Sequence, residues 1–269
     1  MSWLNIEGKT VVVTGGASGI GRAVSQGFMD QGANVVVCEL NPKEPEVEAA
    51  PGKMLYCVTN VTDKESVDAA FAKAKETFGP VDVLVNNAGI NIPRLLVDPK
   101  DPEGEFELDE AVWNKVQSIN LNGVFLCAQA AARQMVAKND GVIINMSSES
   151  GLEGSEGQSV YAATKAAVNS LTRSWCKELG KYNVRVVGVA PGIMEATGLR
   201  TLAYESALSY TRGITVDELR AGYAKKSVTP LGRSGKLSEV ANLCMFLASD
   251  RGGYIDGVTY NVAGGKTRG

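Results

Sequence analysis

The stretch that most constrains this chain is Thr10-Val11-Val12-Val13 running into Thr14-Gly15-Gly16-Ala17-Ser18-Gly19-Ile20-Gly21. A short β-branched run bounded by glycines reads as a buried strand. The residues after it, 20–31, carry the apolar spacing of a helix. Glycines at such a turn let the backbone approach a pyrophosphate, and the helix amino terminus adds N–H donors and a favourable dipole. The competing reading is an ordinary glycine-rich strand-to-helix turn; the strand before it and the helix after it favour the first.

The alternation continues along the chain. Strand patterns fall at 9–14, 34–40, 54–58, 81–85, 142–146, 184–189 and 259–262, and helical ones at 20–31, 64–78, 110–138, 160–179 and 238–249. Asp63 and Ser238 stand where helix caps are expected. Residues 201–226 form a helical insertion rich in Tyr and Arg. Alternating strands and helices predict one α/β domain over 1–269, a Rossmann-type doubly wound parallel sheet with helices on both faces.

Composition excludes several classes. The 269 residues hold 27 basic and 30 acidic side chains, a formal net charge of −3. That balance offers no basic surplus for nucleic acid and no polybasic run for a membrane surface. No secretory signal is visible, and no apolar stretch has the length to span a bilayer. Cys38, Cys57, Cys127, Cys176 and Cys244 are scattered singly and read as buried free thiols in a reducing cytoplasm. Histidine is absent, which removes Ser-His-Asp chemistry, histidine zinc sites and a histidine base; no metal is expected.

The chemistry therefore rests on other groups. Tyr161 and Lys165 stand four apart in a helical segment, on one face and a turn apart. An ammonium beside a phenol favours phenolate, and such a tyrosine suits general acid/base work on a hydroxyl or carbonyl. Ser148 follows the apolar run 142–146, at the carboxyl end of a predicted strand, where open α/β sheets place ligands. Glu39 ends the second strand, where a carboxylate meets a ribose diol and repels a 2′-phosphate; the alternative is a solvated strand-end charge. Glu149, Glu153 and Glu156 precede Tyr161 and suit a hydroxylated substrate, or face water.

In order, Thr14-Gly-x-x-x-Gly-x-Gly21, Asn86-Asn87-Ala88-Gly89, Ser148 and Tyr161-x-x-x-Lys165 resemble the short-chain dehydrogenase/reductase family over essentially the whole chain. The resemblance implies an NAD-dependent dehydrogenase. Its cofactor would meet Gly15, Ser18, Gly19, Ile20 and Gly21 at the pyrophosphate, Glu39 at the ribose, and Asn60 and Val61 near the adenine. Asn87, Ala88 and Gly89 would line the nicotinamide ribose, with Lys165 and Tyr161 beside it. Pro191, Gly192 and Ile193 would close over the nicotinamide. Catalysis would fall to Ser148, Tyr161, Lys165 and Asn120, the last holding a relay water or, alternatively, bonding a neighbouring strand. Ser18, where NADP-preferring members often carry a basic residue, agrees with Glu39 in favouring NAD. Two departures stand out: Asn60 replaces a common Asp, and Ala196 replaces a common Thr, with Thr197 next.

Segments 91–98, 147–158, 190–200 and 261–269 resemble more narrowly a branch of the family that interconverts sorbitol 6-phosphate and fructose 6-phosphate at C2. A phosphorylated polyol needs cations; Arg94 ranks first, then Arg200, Lys266 and Arg268, with Glu149 and Glu153 at the hydroxyls. A substrate lid is expected at about 193–230. The rival readings are a dehydrogenase of an unphosphorylated polyol, a ketoacyl thioester or a hydroxysteroid, and a non-catalytic NAD(H)-sensing protein. The resemblance also implies a homotetramer packed through 110–138 and 160–179, with the basic tail 264–269 frayed or reaching a neighbouring site.

Overall fold

Thr10–Thr14 is buried at every position, so both faces of this strand, β1, must be covered. Val11 and Val13 enter one apolar cluster and Val12 the other, as the two-residue period of a strand requires. The computed structural model describes residues 3–46, 48–198, 200–223, 225 and 228–266. With β2 (Asn34–Glu39), β3 (Met54–Val58), β4 (Val83–Asn86), β5 (Gly141–Met146), β6 (Val184–Pro191) and β7 (Thr259–Val262), β1 builds a parallel sheet ordered β3-β2-β1-β4-β5-β6-β7. The pairing register aligns Thr14 with Cys38 and Asn86 with Asn145.

Helices cover both faces. α1 (Gly19–Asp30) and α9 (Leu237–Ala248) pack on the face of Val11, Val13, Val35 and Val37, with Phe28 fully buried between. α2 (Lys64–Phe78), α4 (Gly123–Lys138) and α6 (Ser159–Leu179) cover the face of Val12, Val36, Leu84 and Ile143. Each fully buried valine or leucine adds about 1.5–3 kcal/mol over leaving it exposed. The remaining helices are α3 (Glu110–Gln117), the single turn α5 (Ser150–Glu153), and α7 (Leu202–Thr211) with α8 (Val216–Gly222) in the insertion. The far end of the predicted insertion, Lys226, lies outside the described residues. No helix among the described residues is long and apolar enough to cross a membrane.

Two local expectations change. Residues 110–138 are not one continuous α-helix: a π-turn, Ser118–Asn122, separates α3 from α4. α9 begins one residue earlier than expected, with Lys236 rather than Ser238 at its cap, because the Glu239 carboxylate accepts from the Lys236 N–H at 2.7 Å. The Asp63 cap is as expected, its carboxylate accepting from the Glu65 N–H.

Candidate active site

The strand order reverses at β1 and β4: β2 and β3 extend one way, β5 to β7 the other. Open α/β sheets bind ligands beyond the carboxyl ends of the strands at such a point. Here those ends are tied together. Thr14 Oγ1 accepts from the N–H groups of Asn87 and Ala88, both at 3.0 Å. Asn87 Nδ2 donates to the carbonyls of Thr14 at 3.0 Å and Gly15 at 3.1 Å. Gly21 closes the knot from below: a Cβ there would lie 2.0 Å from the Gly15 carbonyl oxygen. Gly15 (φ +61°) and Gly19 (φ +52°) hold left-handed backbone that side chains resist.

A cavity of about 670 Å³ opens from this knot to α6 and the lid. Its first half is lined by Gly15, Ser18, Gly19, Ile20, Glu39 and Asn60, with Val61 beside them. Asp63 and Asp109 cap α2 and α3, whereas Ser18 makes no side-chain cap to α1, whose first turn carries no acidic residue. The amino-terminal N–H groups of α1 thus lack a carboxylate of their own, and Gly15 and Gly19 present no side chain of their own beside them. Both features fit a dinucleotide pyrophosphate. Thr197 packs against this turn, 3.2 Å from where a Gly19 Cβ would be, and lines the cavity; Ala196 does not. The hydroxyl looked for at 196 is therefore supplied beside the loop one residue later. Asn60 accepts from the Thr62 N–H at 3.0 Å and its hydroxyl at 2.8 Å. This fixes the amide orientation and turns its NH2 outward as a donor.

The second half brings the catalytic candidates together. Asn87, Ala88, Gly89, Pro191, Gly192 and Ile193 lie between the two halves. Ser148, at the end of β5, and Tyr161 and Lys165, on α6, line the wall beyond them. Lys165 is buried, its Nζ donating to the Met146 carbonyl at 2.7 Å and lying 5.7 Å from the Tyr161 ring centroid. Burial pulls its ammonium down to about 8. Burial also pushes the Tyr161 phenol above its ordinary value; the Ser148 hydroxyl draws it back, and Glu149 pushes it further up. Ser148, rather than Lys165 as the sequence suggests, is the side chain that draws the phenol down. The reason is geometric: the Lys165 ammonium is directed at the Met146 carbonyl.

Asn120 sits in the π-turn, wholly buried, and does not line the cavity. Its Oδ1 accepts from the Ile90 N–H and its Nδ2 donates to the Ile90 carbonyl, both at 2.8 Å, with a further donation to Thr164 Oγ1 at 3.3 Å. The extra residue of a π-turn re-aims a side chain, and such turns recur at functional sites. The strand-bonding alternative is thus partly realised, toward the segment after β4.

The charged candidates separate. Lys266 bridges Glu149 at 2.7 Å and Glu153 at 3.1 Å within this chain, and all three line the cavity. Arg200 lines it too, paired with Glu205 at 2.9 Å and lying 3.8 Å over the Tyr223 ring. Arg94 does not line the cavity: its Nη1 donates to the Pro93 carbonyl at 2.8 Å and its guanidinium lies 5.7 Å over Phe106. Arg268 lies outside the described residues. The sequence reading missed Arg212, Tyr204 and Gln158, which also line the cavity. Only the Tyr- and Arg-rich character of the insertion hinted at the first two.

Comparison with known proteins decides the family. The family model described as short chain dehydrogenase matches residues 9–206. The chain belongs to the short-chain dehydrogenase family. Among curated members, it is 54% identical to sorbitol-6-phosphate 2-dehydrogenase of Klebsiella pneumoniae, over 100% of this chain and 99% of that one. It is 37% identical to the 3-oxoacyl-(acyl-carrier-protein) reductase of Thermotoga maritima, over 97% of this chain and 99% of that protein. The Escherichia coli reductase of the same name is 36% identical, over 97% and 98%. This short-chain dehydrogenase is thus an oxidoreductase of a family that uses NAD(H) or NADP(H).

Proposed function

We propose that this enzyme interconverts sorbitol 6-phosphate and fructose 6-phosphate by NAD-dependent hydride transfer at C2. The observation that carries the reading is the full-length 54% identity to an enzyme named for that substrate. The site's chemistry agrees: carboxylates Glu149 and Glu153 suit hydroxyls, and Arg200, Arg212 and Lys266 suit an anion. Glu39, on the cavity wall and paired with no arginine among the described residues, supports NAD over NADP.

In oxidation, Tyr161 as phenolate takes the proton of the substrate C2 hydroxyl while the C2–H bond breaks and a carbonyl forms. A bound nicotinamide would supply the hydride acceptor for this oxidation, or the donor for the reverse. Ser148 holds the substrate oxygen beside Tyr161. Lys165 holds the nicotinamide ribose and, with Asn120 buried behind Ile90, links the tyrosine to a path for the proton. Gly15, Ser18, Gly19, Ile20 and Gly21 would hold the pyrophosphate, and Asn60 and Val61 the adenine. We also propose a cytoplasmic homotetramer, on resemblance alone.

A second reading has one observation in its favour. Leu208, Ile214 and Leu219 give the lid side an apolar wall, which would suit a 3-oxoacyl chain like that named for the 36–37% relatives. Initial rates of NADH formation with sorbitol 6-phosphate, sorbitol and a 3-hydroxyacyl thioester separate the readings. The highest kcat/KM with sorbitol 6-phosphate and NAD is expected; a preference for the thioester or for free sorbitol would overturn the assignment.

A further inference from the structure

The cations on the substrate side of the cavity are not equivalent. Arg200 is held by Glu205, which is 4% exposed and also binds Arg220 at 2.6 Å. Lys266 is held by Glu149, 8% exposed, and by Glu153. A phosphate that recruited either would meet a nearly buried carboxylate beside it and weaken an existing pair. Arg212 differs. It is half-buried on the cavity wall, and among the described residues its only side-chain hydrogen bond is from Nη2 to the neutral Ser155 hydroxyl at 3.2 Å. Among the described residues it has no carboxylate partner. A guanidinium carries five donors in a planar fork, so most of its capacity is left over at a residue that lines the cavity.

The fold builds this corner deliberately tight. Arg212 caps the carboxyl end of α7, directly after Thr211. The loop before α6 presses against that end at Gly157, where φ is +72° and a Cβ would lie 2.1 Å from Thr211 Oγ1. Only glycine permits the approach, and it sets Ser155 beside Arg212. Two turns earlier on α7, Tyr204 accepts from Gln158 Nε2 at 2.8 Å, which leaves its O–H free to donate. Tyr204 stands within electrostatic reach of both Tyr161 and Arg212, although burial is the larger influence on its phenol, and all three line the cavity.

We infer that Arg212, aimed by Ser155 and assisted by the Tyr204 hydroxyl, is the phosphate subsite that sets specificity for a phosphorylated polyol. The inference rests on the proposed function. With a sugar oxygen at Ser148 and Tyr161, the far end of the polyol would lie in the same cavity, within reach of the Tyr204 hydroxyl and the Arg212 guanidinium that line it.

The test uses inorganic phosphate as the probe. In the wild type, phosphate should compete with sorbitol 6-phosphate. In Arg212→Gln its Ki, and the KM for sorbitol 6-phosphate, should rise by roughly 10–100-fold, the range for losing hydrogen bonds to a charged group. Arg212→Lys, which keeps charge but loses the fork, should fall between. Should Arg212→Gln fail to fold, Ser155→Ala carries the test, with an expected rise of a few-fold in both constants. Unchanged Ki and KM in folded variants, with the wild type oxidising sorbitol 6-phosphate, would overturn the subsite alone. A wild type unable to oxidise sorbitol 6-phosphate would instead sink the proposed function, and the subsite with it.

Discussion

Replacing Gly21 by alanine tests the knot on which the cofactor half of the site is built. An alanine Cβ would stand 2.0 Å from the Gly15 carbonyl oxygen and 2.6 Å from Asn87 Nδ2. Ordinary contact begins at 3.4 Å, so the Gly15 carbonyl must retreat by about 1.4 Å or α1 must move away. Overpacking of this kind costs about 1–3 kcal/mol. The two Asn87 bonds to Thr14 and Gly15 lie in the path of the shift, and losing them adds about 1 kcal/mol each. The better helix propensity of alanine returns up to about 1 kcal/mol. The net loss is about 2–5 kcal/mol, a fall in Tm of roughly 4–20 °C at about 2–4 °C per kcal/mol. The same carbonyl shift disturbs the cradle, so NADH affinity should fall as well. Gly222→Ala is the control: this helical glycine has nothing within 4 Å of the added Cβ, and its Tm should stay level or rise. Thermal unfolding and NADH fluorescence titration read both effects. A Gly21→Ala protein with wild-type Tm and wild-type NADH affinity would refute the reasoning.

Two further predictions concern titration. Lys165 has its folded pKa depressed, so between about 8 and 10.5 the unfolded chain binds a proton that the folded chain does not, and this group's contribution to stability rises with pH. Lys165→Met removes that dependence; its stability advantage over wild type, measured by urea unfolding, should shrink by a few kcal/mol from pH 7 to pH 10.5, and a constant difference would contradict a buried ammonium. Lys266→Met takes a cation from Glu149, which already pushes the Tyr161 phenol up. The alkaline-going rise of kcat/KM for oxidation should therefore move to higher pH; an unmoved profile would mean that Lys266 acts only on the loop.

Much of the fold was legible because parallel strands buried on both faces read as valine runs, and 54–58 and 259–262 match their strands end for end. The π-turn was not legible, because one extra residue barely disturbs helical spacing across Ser118–Asn122. Its purpose shows only when Asn120 meets Ile90 in space. The glycine loop, Glu39, Ser148, Tyr161 and Lys165 could be named because their spacing is local to a strand end or a helix face. The placement of the cationic side chains could not. Arg94 follows the Asn87 segment closely in sequence, yet it turns to Pro93 and Phe106. Lys266 finds Glu149 across 117 residues, and Arg212 finds Ser155 across 57. Such pairings depend on how the lid and the chain end fold back, which no short motif records.

The most direct test of the central claim is turnover of Tyr161→Phe with sorbitol 6-phosphate and NAD, measured beside NADH binding by the same protein. The account predicts a loss of about 10²–10⁴-fold in kcat, the range for a positioned acid/base group, with NADH affinity little changed. Turnover within a fewfold of wild type would contradict it, because the proton would then leave the C2 hydroxyl without Tyr161.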